Sequence, residues 1–494
     1  MKERLTKTAF LRYLKCPPEF WLSVRQPLLA AKPTTLEYEH LRQQGYAVQQ
    51  LVKTLKRFQP REGLSFNFER PFQTFDLYAR CDIVVMHNDS GMIDLYETKS
   101  AASVKDEHID DVAFQRLVCE QSGYQVGRCF TVTTNTDYVR RGEIDAEQLF
   151  TVTDVTDLVE QRLPSTAQQA RAAIAYLRTV PVPSLLDYCD RNRLNCEFIQ
   201  LHFPNLPDYT VFDIAFLKND KRRLLLAEGI VGIVDVPDDF PLSTKQRAQV
   251  EAAKTRAIVI DGNAITERIE RWEYPLQFLD YETFAYAIPQ FDGVRPYQQM
   301  CFQYSLHTID FPGTKPRHSY FLSRGESDPP RAMAESLRQA MEGNIGTVLV
   351  WYEAFEKTRN TEMAAMYPDL AAFFGEVNSK TVDLMKIFSE KLYVHPEFKG
   401  RSSIKKVLPA LRPDLSYKQL RIGDGLTATI SWFRAVKWDS LTESERESIF
   451  KGLEKYCELD TWAMVAIFEE LAAISSREFQ AHTADSELFF LERA

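Results

Sequence analysis

Apolar and polar positions alternate in two long stretches of the chain, and each stretch predicts a mixed α/β region. In the first, residues 38–58 carry apolar side chains at helical spacing, and Thr6 and Thr8 are candidate helix caps. Period-two alternation then predicts strands, with a helix before the last of them. These elements are the strands 65–72, 75–86, 92–98 and 128–133 and the helix 112–122. A helical segment over 156–179 leads to Val180-Pro181-Val182-Pro183, which indicates a boundary.

A second α/β pattern begins at Leu276 and continues to about residue 474. Between the two patterns, residues 204–273 predict a small connecting domain with a strand at 224–226 and a polar helix near 243–255. The last residues, 476–494, predict a C-terminal tail. We therefore expect an α/β multidomain protein with domains at 1–203, 204–273 and 274–475, followed by that tail.

The composition is that of a globular protein, with 45% hydrophobic and 26% charged residues among 494. No apolar run approaches the roughly 20 residues that a membrane-spanning helix needs, and the N-terminus shows no apolar signal stretch. The eight cysteines are scattered along the chain and do not have the spacing of a disulfide framework. These features predict a soluble, cytoplasmic protein with no membrane partner.

The net charge of −9 argues against a protein that only coats nucleic acid, because phosphate contacts need local Lys and Arg side chains.

Two carboxylates and a lysine in the first region have the layout of a metal-dependent hydrolytic site. Asp82 lies in one predicted strand, and Glu97 and Lys99 end the next strand two residues apart, so they project from one face. If the hairpin register places Asp82 beside Glu97, the two carboxylates can hold one or two Mg²⁺ ions. Lys99 would then orient the attacking water and stabilise charge on the phosphorane. The alternative is an exposed strand pair without a chemical role.

This pattern resembles the PD-(D/E)xK nuclease superfamily, and more narrowly its RecB-like branch. Gln115 lies in the following helix, where RecB-like proteins carry a Gln-containing motif, and Gly45 lies in the upstream helix as in that branch. The chain departs from the branch at Gln49, where many members have a histidine, so a third metal ligand is in question. The resemblance implies catalytic roles for Lys99 and Gln115 and metal-binding roles for Asp82 and Glu97.

A group of cysteines extends the same resemblance. Cys16, followed by Pro17-Pro18, resembles the N-terminal cysteine segment of iron–sulfur RecB-like nucleases, which carry three further cysteines after the core. In this chain Cys189 and Cys196 follow the core, and His202 stands at the fourth position. The set fits a [4Fe–4S] cluster with one imidazole ligand, a tetrahedral zinc site, or buried thiols without metal. All three alternatives stay open.

The second region contains another acidic set. A predicted buried strand at 276–279 ends in Asp280-Tyr281-Glu282, where the two carboxylates share a strand face. Tyr456 and Asp460 are four residues apart on a predicted helix over 453–471, so they point the same way. The carboxylates can chelate a metal pair, and the Tyr456 hydroxyl can position the nucleophilic water. A scaffold kept for binding or architecture is the alternative.

This layout resembles the DnaQ-like exonucleases of DEDD type, in the subclass that uses a Tyr near its last Asp. The resemblance implies an RNase H-like fold, 3′–5′ exonuclease activity and metal-binding roles for Asp280, Glu282 and Asp460. The family places a further Asp after a strand, and here Glu356 stands in its place, with a longer side chain that would shift the metal. Asp383 follows another predicted strand and is a competing or additional metal ligand.

A basic stretch between these motifs is a candidate nucleic-acid contact. Arg401, Lys405 and Lys406 fall in a segment that begins at Gly400 and supplies backbone amides, hydroxyls and cations. Such groups are suited to gripping a nucleic-acid backbone. The alternative is a solvated charged face.

The order of the two regions resembles an uncharacterised bacterial family in which a RecB-like nuclease is fused to a DnaQ-like domain. The resemblance implies a Mg²⁺- or Mn²⁺-dependent nuclease that acts on DNA, or on RNA, in repair, defence or nucleic-acid processing. The chain has no Walker-type loop, so unwinding would need a helicase or defence-complex partner. The alternatives are one active site with the other domain as a clamp, a non-catalytic nucleic-acid-binding subunit, and hydrolysis of another phosphodiester such as a nucleotide second messenger.

Overall fold

The described chain divides into two units, each built around its own sheet. The structure, a computed structural model, describes residues 4–27, 36–178, 205–325, 328–437 and 441–491. Among these, unit 1 contains residues 4–178 and 285–298, and unit 2 contains residues 205–284 and those from 299 onward. The predicted boundaries at 180–183 and 203/204 lie outside the described residues. The predicted connecting domain falls within unit 2, together with most of the region predicted to follow it.

Unit 1 alternates helices and strands in the predicted order. Its helices are α1 (Lys7–Lys15), α2 (Pro17–Arg25), α3 (Leu36–Val52), α4 (Asp106–Gln121), α5 (Ala146–Leu149) and α6 (Thr156–Tyr176), with a 3₁₀ turn at Lys56–Phe58. Its strands are β1 (Leu5–Thr6), β2 (Leu64–Gln73), β3 (Leu77–His87), β4 (Ile93–Thr98), β5 (Val126–Thr134) and β6 (Phe150–Asp154). Thr6 caps α1 by accepting a hydrogen bond from Ala9 N at 3.2 Å, as predicted, whereas Thr8 lies inside the helix.

The sheet of unit 1 is mixed. Strand β3 pairs with β1 in parallel and with β2 and β4 in antiparallel fashion, and β4 pairs in parallel with β5, which is antiparallel to β6. The β3–β4 register sets Ile83 opposite Tyr96, so Asp82 and Glu97 are the next pair along the two strands. Helix α4 packs its apolar side, including Phe114 and Val118, on this sheet. This packing also brings the polar residues of α4 to the end of β4.

Residues 285–298 connect two strands of unit 2 but belong to unit 1. Ala287 lies in the same apolar core as Val48 and Val52, and its backbone N donates to Gln44 Oε1 at 3.2 Å. Arg140 exchanges backbone hydrogen bonds with this segment, and its Nη1 donates to Pro289 O at 3.1 Å. Unit 1 is therefore assembled from two pieces that are distant in the chain.

Unit 2 contains the remaining described elements. Its helices are α7 (Asn219–Ala227), α8 (Thr244–Thr255), α9 (Gly262–Ile269), α10 (Pro329–Ala340), α11 (Glu353–Met366), α12 (Ala371–Lys380), α13 (Lys386–Ser389), α14 (Ile404–Leu411), α15 (Gly425–Lys437) and α16 (Glu443–Leu491). Its strands are β7 (Val259–Ile260), β8 (Leu276–Phe284), β9 (Met300–Ile309), β10 (Arg317–Leu322), β11 (Thr347–Val350), β12 (Thr381–Asp383) and β13 (Tyr393–Val394). The strand predicted at 224–226 is wrong, because this leucine run lies in α7; a short apolar run does not distinguish a strand from a helix.

The main sheet of unit 2 has helices on both of its faces. Its strand order is β10-β9-β8-β11-β12, with β10, β9 and β8 antiparallel and β8, β11 and β12 parallel. Leu279 and Tyr281 of β8 pack with α10, α11 and α12 in one apolar core. Side chains alternate across a strand, so Asp280 and Glu282 face the opposite side, on which α16 lies. The fold thus turns the acidic residues of β8 toward α16.

Within the described ranges, none of the helices is both long enough and apolar enough to cross a lipid bilayer.

Gly346, which precedes β11, provides a test of the packing at the start of that strand. A Cβ atom at this position would collide with the backbone carbonyl oxygens of Glu273 and Pro275. We expect Gly346→Ala to destabilise the protein by about 1 to 3 kcal/mol, because backbone atoms cannot move aside as a flexible side chain can. A lower melting temperature in circular dichroism would show this effect.

The matched control is Gly375→Ala in α12, where an added Cβ meets no atom of the described residues within 4 Å. Alanine has the higher helix propensity, so this variant should melt at the same or a slightly higher temperature. Equal melting temperatures for Gly346→Ala and the wild type would contradict the prediction.

Candidate functional site

In unit 1, the carboxylate of Glu97 is the centre of a group that we call the lysine–carboxylate cluster (Lys7, Asp82, Glu97, Lys99 and Asp111). Glu97 Oε1 accepts hydrogen bonds from Lys7 Nζ and from Lys99 Nζ, each at 2.8 Å. Lys99 also donates to Asp111, and Lys7 Nζ lies 3.5 Å from Asp111 Oδ1. Both ammonium groups therefore contact the same two buried carboxylates.

Helix α4 contributes two members of this site from one face. Gln115 Nε2 donates to Glu97 Oε2 at 2.8 Å and to Asp111 Oδ1 at 2.9 Å. Asp111 and Gln115 are one helical turn apart, so their side chains project together toward the end of β4. The structure thus brings Gln115 into contact with Glu97 and Asp111.

Asp82 lies in the same cluster but is held by different donors. Its Oδ2 accepts from Thr98 N at 2.9 Å, and its Oδ1 accepts from Gln49 Nε2 at 3.2 Å. Gln49 also donates to Glu69, which stands opposite Asp82 on β2 in a left-handed conformation with φ of 54°. Gln49, the residue for which the sequence left a third metal ligand in question, is therefore a hydrogen-bond donor to Asp82.

The charges in this cluster are nearly balanced. Burial acts to raise the pKa of Glu97, but Lys99 and Lys7 outweigh it and hold the pKa at about 2. Burial, with the charge of Glu97, raises the pKa of Asp82 to about 7 and also raises the pKa of Asp111. Burial acts to lower the pKa of both lysines, but Glu97 and Asp111 raise it above the ordinary value. Two lysines thus neutralise Glu97 and Asp111, and Asp82 titrates near neutral pH.

The cysteine group falls mostly outside the described residues. Cys189, Cys196 and His202 lie in the range 179–204, which the structure does not describe. Cys16 is buried and ends α1, directly before Pro17 begins α2. The expectations of an iron–sulfur cluster, of zinc, or of neither metal stay predictions.

In unit 2, three carboxylates form what we call the carboxylate cluster (Asp280, Glu282 and Asp460). One oxygen of each lies within 4.8 Å of the others, and Glu282 and Asp460 are buried. Strand β8 supplies Asp280 and Glu282 from one face, and α16 supplies Asp460 from its buried stripe. Three of the residues that the sequence predicted as metal ligands are therefore brought together across 180 residues of chain.

Aromatic hydroxyls and one lysine line the carboxylate cluster. Tyr417 OH donates to Asp460 Oδ1 at 2.6 Å. Lys405 Nζ donates to Gly423 O at 2.6 Å and to Tyr456 OH at 3.4 Å, and it lies over the rings of Tyr417 and Tyr456. Lys405 was predicted to contact a nucleic-acid backbone, and the structure places it beside the carboxylate cluster. Arg401 and Lys406, predicted with it, are exposed.

Glu356 and Asp383 have different surroundings although both were predicted as metal ligands. Glu356 is buried in the first turn of α11, and its Oε2 has no hydrogen-bond partner among the described residues. Asp383, at the end of β12, accepts hydrogen bonds from Glu353 N at 3.4 Å and from Met385 N at 3.0 Å. Asp383 therefore fixes the start of α11, and with it the position of Glu356.

The carboxylate cluster of unit 2 and the nearby Glu356 are short of positive charge. Burial raises the pKa of Asp280 and Glu282 well above ordinary values, and the charge of Asp460 adds to both shifts. Burial raises the pKa of Asp460 to about 6, against the Tyr417 hydrogen bond and the charge of Lys405. Burial also raises the pKa of Glu356 to about 8. Buried carboxylates whose protons are held this tightly favour binding of a cation that replaces those protons.

This set of atoms fits a hard divalent cation. Carboxylate oxygens are the ligands that Mg²⁺ and Mn²⁺ prefer. The unpartnered Oε2 of Glu356 is a further acceptor, and the charge of Glu356 acts on Asp280. We conclude that Asp280, Glu282 and Asp460 could hold such an ion, whereas Glu356 lies outside this group and acts on Asp280 through its charge.

Three residues of these sites were missed by the sequence analysis. Asp111 is one helical turn before Gln115, and that spacing was the available signal. Lys7 is 90 residues from Glu97, and Tyr417 is 43 residues from Asp460, so only the folded chain brings each pair together.

Comparison with known proteins finds similarity to one family model and to one relative, both of unknown function. Residues 277–403 match the family model "Domain of unknown function (DUF2779)", a range that includes Asp280, Glu282, Glu356 and Asp383. Over 213 residues the chain is 27% identical to "Uncharacterized protein UU173" of Ureaplasma parvum serovar 3. The aligned region covers 38% of this chain. The match spans only 30% of that relative's length. The solved "Crystal structure of SSO0001" is similar at 14% identity, with a TM-score of 0.22, over 38% of this chain and 85% of that one.

The charge deficit of the carboxylate cluster can be measured as a pH-dependent stability. The pKa of Asp460 is about 6 in the folded protein against an ordinary value of 3.8, so folding takes up a proton between these values. The stability that depends on this proton is complete below about pH 4 and is lost as pH rises through 6. We expect Asp460→Asn to be about 1 to 3 kcal/mol more stable than wild type at pH 8 in chelator, and nearly equal at pH 4.

Thermal unfolding across this pH range would measure the difference. Asp239→Asn is the matched control, because Asp239 is exposed, and it should follow the wild type at every pH. An Asp460→Asn variant that is less stable than wild type at pH 8 would show that the carboxylate is favourable as an anion.

Proposed function

We propose that the protein is a metal-dependent nuclease whose hydrolytic centre is the carboxylate cluster of unit 2. The observation that carries the proposal is the convergence of three carboxylate oxygens within 4.8 Å, in a site where burial and mutual repulsion raise the pKa values. In this proposal the sheet of unit 2 is an RNase H-like domain of DnaQ type. The sheet of unit 1 is a PD-(D/E)xK core.

The carboxylates would hold Mg²⁺ or Mn²⁺, and Glu356 would act on them from α11 through its charge. When bound, such ions lower the pKa of water and neutralise charge on the phosphodiester. Tyr417 keeps Asp460 oriented by donating to its Oδ1, and Asp383 keeps α11 in place. The protein thus supplies a rigid frame of oxygen atoms for the ions.

Tyr456 is the residue that we propose to orient the attacking water. Burial, with the charge of Asp460, raises its pKa, so the side chain stays a neutral phenol. A neutral phenol acts by hydrogen bonding and does not remove a proton from water. Lys405 Nζ, 3.4 Å from Tyr456 OH, adds the positive charge next to which a phosphate oxygen would bind.

Unit 1 supports two candidate roles. The arrangement of Asp82, Glu97, Lys99 and Gln115 supports a second hydrolytic centre of RecB-like type. Lys7, however, already occupies Glu97 Oε1, so a metal ion there has to compete with an ammonium group of the protein itself. This contact favours the alternative in which unit 1 is a nucleic-acid clamp and only unit 2 cleaves.

The test of unit 2 uses end-labelled single- and double-stranded DNA and RNA with Mn²⁺, Mg²⁺ or EDTA. We expect Asp280→Asn to lower metal-dependent release of 3′ nucleotides by more than about 100-fold, because the variant keeps its shape but loses a metal ligand. Asp239→Asn, at an exposed site, should retain full activity. Unchanged hydrolysis by Asp280→Asn would contradict the proposed centre.

The test of unit 1 uses circular single-stranded DNA, which has no end for an exonuclease. If unit 1 is hydrolytic, Lys99→Ala removes cleavage of the circle but leaves 3′ trimming of linear DNA unchanged. Lys15→Ala is the control, because Lys15 is exposed. The clamp role of unit 1 would be favoured if the wild-type protein trims linear DNA but never opens the circle. A hydrolytic role for Lys99 would be contradicted if the Lys99→Ala variant opens the circle at the wild-type rate.

A further inference from the structure

Two histidines and a glutamate form a second candidate metal site on the same side of the unit 2 sheet. One ring nitrogen of His307, one of His318 and a carboxylate oxygen of Glu458 lie within 4.8 Å of one another. The two histidines stand opposite each other on β9 and β10, and their rings stack with centroids 4.5 Å apart. Glu458 approaches from α16, with its Oε1 3.7 Å from His318 Nδ1. Three separate elements thus converge on one point.

The hydroxyl groups of Ser305 and Thr461 form hydrogen bonds to the two imidazole rings. His307 Nδ1 lies 2.8 Å from Thr461 Oγ1, and His318 Nε2 lies 2.9 Å from Ser305 Oγ. The two hydroxyls are 2.6 Å apart, and Thr461 Oγ1 donates to Glu458 O at 3.2 Å. Ser305 and Thr461 are buried, so these bonds are protected from water.

The hydroxyl chain is compatible with one pair of tautomers that suits metal binding. When the proton of Thr461 goes to Glu458 O, Thr461 Oγ1 accepts from Ser305 and from His307 Nδ1. Ser305 then accepts from His318 Nε2. In this arrangement each ring carries its proton on the nitrogen that faces a hydroxyl, and His307 Nε2 and His318 Nδ1 are unprotonated. A metal-bound histidine has this same arrangement, with its second nitrogen donating to a polar partner.

We propose that His307, His318 and Glu458 bind a divalent transition metal, with Zn²⁺ as the best match. Imidazole nitrogens select Zn²⁺ over Mg²⁺, whereas the carboxylate cluster offers only oxygen atoms. Two histidines and one glutamate leave a fourth position for water. The half-exposed side chain of Glu458 gives the ion access from solvent.

A metal bound there would connect three elements on which the carboxylate cluster depends. It would join the edge strand β10 and its neighbour β9 to α16, the helix that carries Tyr456 and Asp460. Ser305, which supports His318, stands opposite Asp280 in the β8–β9 register. The ion would therefore stabilise the position of α16 on the sheet. This inference holds whether or not the protein is a nuclease.

The test measures Zn²⁺ binding by the full-length protein after chelator treatment. Competition with a chromophoric Zn²⁺ indicator, in excess Mg²⁺ to fill the carboxylate cluster, gives the affinity. We expect His318→Ala and Glu458→Gln to weaken binding by more than about tenfold, and Thr461→Val, which removes a hydroxyl behind His307, to weaken it about 10- to 100-fold. His87→Gln is the control, because His87 pairs with Asp94 in unit 1 and should leave Zn²⁺ binding unchanged.

Two further measurements keep the outcome clear if a variant folds poorly. The wild type loaded with Co²⁺ should show the intense visible bands of nitrogen ligation at low coordination number, and not the weak bands of an octahedral oxygen site. Zn²⁺ should raise the melting temperature of the wild type but not that of His318→Ala. Equal Zn²⁺ affinity in the wild type, His318→Ala and Glu458→Gln would overturn the proposal and leave the histidines as a hydrogen-bonded stack.

Discussion

The burial of carboxylates is the constraint on which both candidate sites depend. An ionised carboxylate loses its hydration in the protein interior, so it must gain a cation, gain donors or keep its proton. Unit 1 supplies cations from its own chain, because Lys7 and Lys99 contact Glu97 and Asp111. Among the described residues of unit 2, no Lys or Arg forms an ion pair with Asp280, Glu282 or Asp460, although Lys405 lies near them. That difference explains why the two acidic sites, so similar in sequence, differ in their electrostatics.

The parts of the fold that depend on local patterns could be predicted from the sequence. Strand alternation places Glu97 and Lys99 on one face, and the short β3–β4 hairpin sets Asp82 beside them. Helical spacing likewise joins Tyr456 with Asp460. The strand at 224–226 was wrong because three leucines carry no period, and their neighbours form the helix Asn219–Ala227.

The contacts that tertiary packing creates could not be predicted. Nothing in the sequence near Lys7 indicates a partner 90 residues away, and the role of Lys405 changes from a surface cation to a neighbour of Tyr456 and Tyr417. His307 and His318 are eleven residues apart, but only the β9–β10 register stacks their rings. The predicted nuclease folds, the activity and the cysteine group stay predictions that the comparisons leave untested.

The segment 285–298 has a consequence for how the chain folds while it is being made. A ribosome releases the chain from its N-terminus, so the core around Val48 and Val52 forms without Ala287 until that residue has left the exit tunnel. By then β8, with Asp280 and Glu282, has already emerged from the tunnel, whereas β9 has not. The first unit therefore completes its core only after the second has begun to emerge, and neither unit can be obtained intact by cutting the gene at a single point.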